Sequence, residues 1–185
     1  MDHVLAIGTT GMLSEATFHL AQRTSQLTCI ARTVRSLNRF AGSLDPHGPT
    51  FTPISIDYQN VDQFITSVKQ AWERKPFDLV LAWFHDSGQQ SLEALLAFLA
   101  DQTHPTRFFH VMGSAAANPA HDADQFQPIT NGAFSYQQII LGFKVDNGRS
   151  RWLYNHEISA GAIQAIQQNR PRYVVGTVEP WSARP

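Results

Sequence analysis

His3-Val4-Leu5-Ala6-Ile7-Gly8-Thr9-Thr10-Gly11-Met12-Leu13-Ser14 is the stretch that decides the fold. Residues 4–7 form a short apolar run, the pattern of a strand covered on both faces. Gly8 follows at once and Gly11 comes three residues later. Behind Ser14 the segment EATFHLAQR carries Ala16, Leu20 and Ala21 at helical spacing. A strand that turns directly into a helix leaves backbone N–H groups unpaired at the helix start. Together with the positive end of the helix dipole, those groups suit a phosphate. Glycines let a phosphate approach the backbone without meeting a Cβ. Strand-turn-helix units with one or two glycines also occur where nothing binds, so the next strand carries the decision.

That strand, Leu27-Thr28-Cys29-Ile30-Ala31, is apolar and ends in Arg32-Thr33. In a dinucleotide fold the end of the second strand meets the adenosine ribose. An acidic side chain there takes the 2′-hydroxyl, whereas an arginine accommodates a 2′-phosphate. No Asp or Glu lies nearby on this strand, so Arg32 points to NADP(H) in preference to NAD(H). The plainer alternative is a solvated arginine opening a helix.

The totals fit one domain: 185 residues, 43% of them apolar and only 16% charged, with a formal net charge of −1. Nothing in that balance favours nucleic acid as a partner. The single cysteine, Cys29, excludes a disulfide scaffold and reads as a small core hydrophobe. No apolar run approaches the ~20 residues that cross a bilayer. The N-terminus enters a strand without the basic and apolar regions of a signal peptide, so a cytoplasmic location without membrane contact is expected.

Alternation continues along the chain. Helices are predicted over 12–22, 34–44 (capped by Thr33), 61–74 and 89–102, and strands over 51–56, 77–84 and 107–114. This predicts an α/β fold, a doubly wound and mostly parallel sheet with helices on both faces. The strand over 77–84 opens the second half beside the first strand. The crevice between them is the switch point at which dinucleotides lie. Ala82, Trp83 and Phe84 therefore belong near the cofactor, with His85, Asp86 and Ser87 following on the crevice side. Residues 115–135 read as a loop, the natural substrate-side lid. Ile140, Leu141, Phe143 and Val145 read as a strand, Asp146-Asn147-Gly148 as a hairpin turn, and residues 151–153 as the return. Asn155 is placed as the cap of a last helix, and 173–178 as a final strand.

Gly8-Thr9-Thr10-Gly11-Met12-Leu13-Ser14 resembles the GxxGxxG turn of the short-chain dehydrogenase/reductase superfamily, with Ser14 in place of the last glycine. It is most similar to compact, divergent members that start GxTGM. The resemblance covers residues 3–114. It implies a single Rossmann-like NAD(P)-binding domain over 1–185, with the hairpin as a C-terminal excursion. By that resemblance the pyrophosphate lies on Gly8, Thr9, Thr10, Gly11, Met12 and Leu13, and the 2′-phosphate at Arg32 and Thr33. The adenine falls beside Asp57 and Tyr58, and the nicotinamide between Trp83 and Ser114. Asp57 reads equally well as a cap or turn residue. Ser114 matches the place of the superfamily's catalytic serine, where an ordinary loop serine is also at home. The implied function is an NADP(H)-dependent oxidoreductase acting on a small carbonyl or quinone-like substrate.

The superfamily's proton relay is missing. It uses Tyr-x-x-x-Lys, which puts both side chains on one helix face so that the ammonium lowers the phenol pKa. Four residues after Tyr58, Tyr136, Tyr154 and Tyr173 stand Asp62, Ile140, Ile158 and Thr177. Tyr136 and Lys144 are eight apart on a predicted strand, ~26 Å at ~3.3 Å per residue. Two residues could replace the pair. His85 is one, since histidine transfers protons near neutral pH, although a hydrogen-bonded surface or rim histidine is the more ordinary reading. Tyr136 could serve if the loop brings it to the crevice. The alternative is a non-catalytic NADP(H)-binding redox sensor or regulatory protein. His121-Asp122-Ala123-Asp124 reads as solvated loop, and no metal site is expected. The apolar faces of the 89–102 helix and of the last helix could build a homodimer contact as readily as a core.

Overall fold

The computed structural model describes residues 1–120 and 132–185. Its strands are β1 His3–Ile7, β2 Gln26–Ala31, β3 Thr50–Ser55, β4 Leu79–Trp83, β5 Thr106–Gly113, β6 Phe134–Leu141, β7 Phe143–Asp146, β8 Arg149–Trp152 and β9 Arg172–Val175. Its helices are α1 Ser14–Ala21, α2 Val34–Ala41, α3 Val61–Arg74, α4 Gln89–Ala100 and α5 Asn155–Gln168. Seven strands form one sheet in the order β3-β2-β1-β4-β5-β6-β9, and every pairing in it is parallel. β7 and β8 form a separate antiparallel hairpin.

Strand side chains alternate between the two faces of a sheet. Val4 and Ala6 pack with α1, α2 and α5 through Ala16, Leu20, Leu37 and Ile158. Leu5 and Ile7 pack with α3 and α4 through Phe64, Val68, Leu92 and Leu95. Both faces are thus covered, which is why β1 and β4 read as unbroken apolar runs. β3 is an edge strand, and that position tolerates Pro53, which has no N–H to give to a neighbour.

Several boundaries differ from the sequence reading for local reasons. The first helix begins at Ser14 rather than 12, because Ser14 N–H closes a turn on the Gly11 carbonyl (3.0 Å) and Leu13 takes the cap position. Thr33 caps α2 as expected, its Oγ1 accepting from Ser36 N–H at 3.3 Å. The cap of α5 is Tyr154, not Asn155, and Glu157 reaches back to accept from Tyr154 N–H at 2.8 Å.

The stretch 134–145 holds two strands, not a loop end followed by one strand. β6 runs parallel to β5 along its whole length and belongs to the main sheet. The break falls at Gly142, where a Cβ would sit 2.1 Å from the Thr177 carbonyl oxygen. Past it, Phe143 exchanges backbone hydrogen bonds with Thr177 at 2.8 and 2.9 Å. The hairpin turn has positive φ at both Asn147 and Gly148, as a two-residue turn of this hand requires. Of the lid expected over 115–135, residues 114–117 form a 3₁₀ turn and 134–135 belong to β6. The remainder, with His121, Asp122 and Asp124, lies largely outside the described residues.

Candidate functional site

The connections out of β1 and β4 run in opposite directions across the sheet, so the switch point falls between these two neighbours. Two cavities open there, beyond the carboxyl ends of the strands. One, of about 310 Å³, lies beyond β1, β2 and β3 and is lined by Gly8, Thr10, Arg32, Thr33, Ser36, Asp57, Tyr58 and others. The second, of about 520 Å³, lies beyond β4 and β5 and is lined by Phe84, Leu92, His110, Met112, Gly113 and others. Trp83, His85 and Ser87 line both, so the two form one crevice.

Gly8 is required by its geometry. Its φ is +67°, and a Cβ would stand 2.5 Å from the Trp83 carbonyl oxygen, because the turn out of β1 passes against β4. Gly11 is the opposite case: it is exposed, and a Cβ there would meet no protein atom within 4 Å. Thr9 is wholly buried, and its hydroxyl has no hydrogen-bond partner among the described residues. Beyond β2, Arg32 is exposed and makes no ion pair among the described residues. Next to it, the Thr33 and Ser36 hydroxyls are 2.9 Å apart.

Asp57 forms a turn, its Oδ1 accepting from Gln59 N–H at 3.0 Å, and also lines the smaller cavity. The Tyr58 hydroxyl accepts from His85 N–H at 3.2 Å, and Ser91 Oγ bonds to the Tyr58 carbonyl. Tyr58 thereby ties the end of β3 to the loop after β4.

Seven of the expected site residues do not line either cavity. These are Thr9, Gly11, Met12, Leu13, Ala82, Ser114 and Tyr136. The Met12 carbonyl accepts from Ser159 Oγ of α5 at 2.9 Å, and the Leu13 and Ala82 side chains are fully buried in the core. Ser114 is 4% exposed, and its hydroxyl accepts from Arg184 Nε at 2.8 Å. The Arg184 guanidinium in turn lies 5.1 and 5.2 Å from the rings of Trp152 and Trp181.

His85 is exposed at the junction of the cavities, with Nε2 3.5 Å from the Trp83 indole N–H. Tyr136, half-buried on β6, has its hydroxyl 2.7 Å from Nδ1 of His110 on β5. His110 is 6% exposed and lines the larger cavity. Burial pushes its pKa down to about 4. Burial likewise raises the Tyr136 phenol, and a hydrogen bond with Gln138 opposes that rise. Sequence reasoning passed over His110. The partners are 26 positions apart on neighbouring strands, and only the register of β5 on β6 brings them together. Lys144 stands elsewhere, on β7, with its ammonium 2.7 Å from Glu157.

Among the described residues no group of three or more His, Cys, Asp or Glu side chains could hold a metal, and no helix is long and apolar enough to cross a membrane.

No protein-family model matches the sequence, and no curated protein is similar to it at a significant level. Solved structures are similar in fold. A short-chain type dehydrogenase/reductase from Mycobacterium marinum superimposes with a TM-score of 0.70 at 12% identity, over 97% of this chain and 95% of that one. The alcohol dehydrogenase from Thermococcus sibiricus, complexed with 5-hydroxy-NADP, gives 0.65 at 14% identity over 96% of each chain. A putative D-mannonate oxidoreductase from Haemophilus influenza with bound NAD gives 0.66 at 10% identity, over 100% of this chain and 96% of that one. The strand order, the glycine turn after β1 and these superpositions together establish that this chain has the short-chain dehydrogenase/reductase fold.

Proposed function

We propose that the crevice binds NADP(H) and that the chain is an oxidoreductase acting on a small carbonyl or quinone-like substrate. One observation carries the reading. An arginine without an ion pair among the described residues borders a cavity that begins at a positive-φ glycine turn, at the switch point of a parallel sheet. A 2′-phosphate would complete Arg32, with the Thr33 and Ser36 hydroxyls as further partners. Gly8 and Thr10 would flank the diphosphate, and Asp57 and Tyr58 the adenine. Trp83, Phe84 and His85 would wall the nicotinamide. The open space at Gly11 leaves room for a ligand at the same turn. Two structures of the same fold carry such ligands, 5-hydroxy-NADP in one and NAD in the other. The cofactor, when bound, supplies a hydride; substrate would occupy the larger cavity.

A second reading is a non-catalytic NADP(H)-binding redox sensor. It is favoured by Ser114, which is buried on Arg184 outside the cavity lining, and by the missing Tyr-x-x-x-Lys pair. Titration of the protein with NADPH, followed by fluorescence, tests the common element. Consumption of NADPH with a panel of aldehydes, ketones and quinones then separates the two readings. Binding with turnover supports the oxidoreductase, binding without turnover the sensor, and absence of binding rejects both.

A further inference from the structure

We propose that His110 is a catalytic residue of this site, passing to the oxygen of a carbonyl substrate a proton that Tyr136 replaces. The inference rests on the reading of the crevice as an NADP(H) oxidoreductase site. It is carried by three facts of geometry. His110 is nearly buried yet lines the larger cavity, the one bounded by Trp83 and Gly113. Its Nδ1 lies 2.7 Å from the Tyr136 hydroxyl. The parallel register sets Phe108 opposite Tyr136 and His110 opposite Gln138, so all four side chains share one face of the sheet.

In the proposed relay the hydrogen bonds have assigned directions: the Gln138 amide N–H donates to the Tyr136 oxygen, as an amide can. The phenol proton is then directed at Nδ1 of His110. An imidazole that accepts at Nδ1 carries its proton on Nε2. His110 is neutral near pH 7, because burial disfavours the imidazolium. A neutral imidazole is a weak acid alone, since loss of its proton would leave an imidazolate. Coupled to Tyr136 it loses nothing.

As the carbonyl carbon accepts hydride, the C=O π pair moves onto oxygen. That oxygen forms a bond to the Nε2 proton, the Nε2–H bond breaks, and the Tyr136 O–H proton moves to Nδ1. The imidazole ends neutral, with its proton on the other nitrogen. The phenolate ends held by the Gln138 amide; the starting state returns when Nε2 takes a proton from water and the Nδ1 proton moves back to the phenolate. The substrate gains one hydride and one proton, the change from carbonyl to alcohol. Tyr136 acts through His110 and is therefore a positioning and relay residue.

The experiment uses the full chain, wild type, His110→Gln and Tyr136→Phe. In the cofactor-free protein, ring ¹⁵N shifts of His110 are expected to show Nε2 protonated and Nδ1 bare. A proton on Nδ1 overturns the proposal. Both variants are expected to melt cooperatively and to bind NADPH within about twofold of wild type. Turnover of aldehydes is expected to fall about 100-fold or more in His110→Gln and about tenfold or more in Tyr136→Phe, in kcat rather than KM. Reduction of menadione should change far less, because a hydroquinone oxygen is a weak base that takes its proton from water. Such a split between substrates is not produced by loss of packing. If wild type binds NADPH but aldehyde turnover is absent, or is unchanged in both variants, the proposal is overturned and NADP(H) binding stands. If wild type does not bind NADPH, the reading beneath it fails as well.

Discussion

Arg32→Glu tests the cofactor half of the site. Arg32 is exposed beyond the end of β2 and holds no ion pair among the described residues, so its removal breaks nothing inside the fold. A charge-assisted hydrogen bond to a phosphate contributes about 1.5–3 kcal/mol. Its loss alone therefore weakens NADPH roughly 10- to 150-fold at about 1.4 kcal/mol per decade. The introduced carboxylate adds repulsion of the 2′-phosphate: two unit charges ~4 Å apart at an effective dielectric of ~20 interact by about 4 kcal/mol before screening by solvent and salt. A combined loss of roughly 10²–10⁴-fold is expected for NADPH. NADH, which lacks the phosphate, should change by less than about threefold. Fluorescence titration of each cofactor, at low and at high salt, reads the result directly. The wild-type preference for NADPH should narrow as salt rises, and that of Arg32→Glu should not. An equal loss of both cofactors would refute the reasoning, because it would place Arg32 in the fold or at the diphosphate and not at the 2′-phosphate.

Three further outcomes are expected. Gly11→Val, which places its side chain in open space, should leave the melting curve unchanged and cost at least about tenfold in affinity for both NADPH and NADH; unchanged affinity in titration would move the diphosphate away from this turn. Gly8→Ala should instead cost about 2–4 kcal/mol of stability, roughly 5–15 °C in Tm, because it combines a positive φ with a Cβ set against the Trp83 carbonyl; a wild-type melting temperature would show that the two strands are not packed this closely. Glu157→Gln should cost about 1–2 kcal/mol near pH 7 through loss of the α5 cap and of its ion pairs. The Arg151 and Lys144 hydrogen bonds hold this carboxyl well below the usual carboxylate range. A group depressed on folding stabilises above its unfolded pKa and loses that contribution as pH falls toward the folded value. Urea melts of wild type and variant should therefore converge as pH drops below about 4, and curves that stay parallel would refute the linkage.

The turn out of β1 was legible because its demands are local and fall on the backbone. A buried strand, a glycine with positive φ and a helix start occupy consecutive residues, so Gly8 and the order of strands could be read from 3–14 and the alternation that follows. The positions of Arg32 and Asp57 along the smaller cavity were legible for the same reason, since Arg32 follows β2 directly and Asp57 stands two residues past β3. The C-terminal third was harder. Ser135, Gln137 and Gln138 interrupt the apolar pattern of β6, and these residues read as loop or as part of the hairpin. Gln137 is buried all the same, with Nε2 on Ser135 Oγ at 3.1 Å and Oε1 without a hydrogen-bond partner among the described residues. Once β6 was merged with the hairpin, the neighbour of β5 was lost, and with it the meeting of His110 and Tyr136. Spacing rules find pairs on one helix or strand; they do not find a diagonal pair across two parallel strands.

The environment of Tyr136 also sets a direction for the chemistry. In the Tyr-x-x-x-Lys arrangement the ammonium lowers the phenol pKa, and the phenolate can take a proton from an alcohol near neutral pH. Here the nearest lysine by sequence, Lys144, lies on the hairpin and is neutralised by Glu157 at the start of α5. Tyr136 instead stacks on Phe108, with ring centroids 5.8 Å apart and planes 17° apart, and faces a histidine held neutral by burial. Both features keep the phenol protonated. A protonated phenol is a poor base toward an alcohol but remains a better acid than the alcohol formed when a carbonyl accepts hydride. Under the proposed relay, such a site would be suited to reducing carbonyls and unsuited to oxidising alcohols near pH 7. That direction is compatible with the NADPH donor proposed for the cavity beside Arg32. At saturating substrates, kcat for alcohol oxidation with NADP at pH 7 should accordingly be lower than kcat for the matching carbonyl reduction, the KM values keeping the ratio of kcat/KM at the equilibrium constant. A faster oxidation would mean that a base other than Tyr136 serves the site.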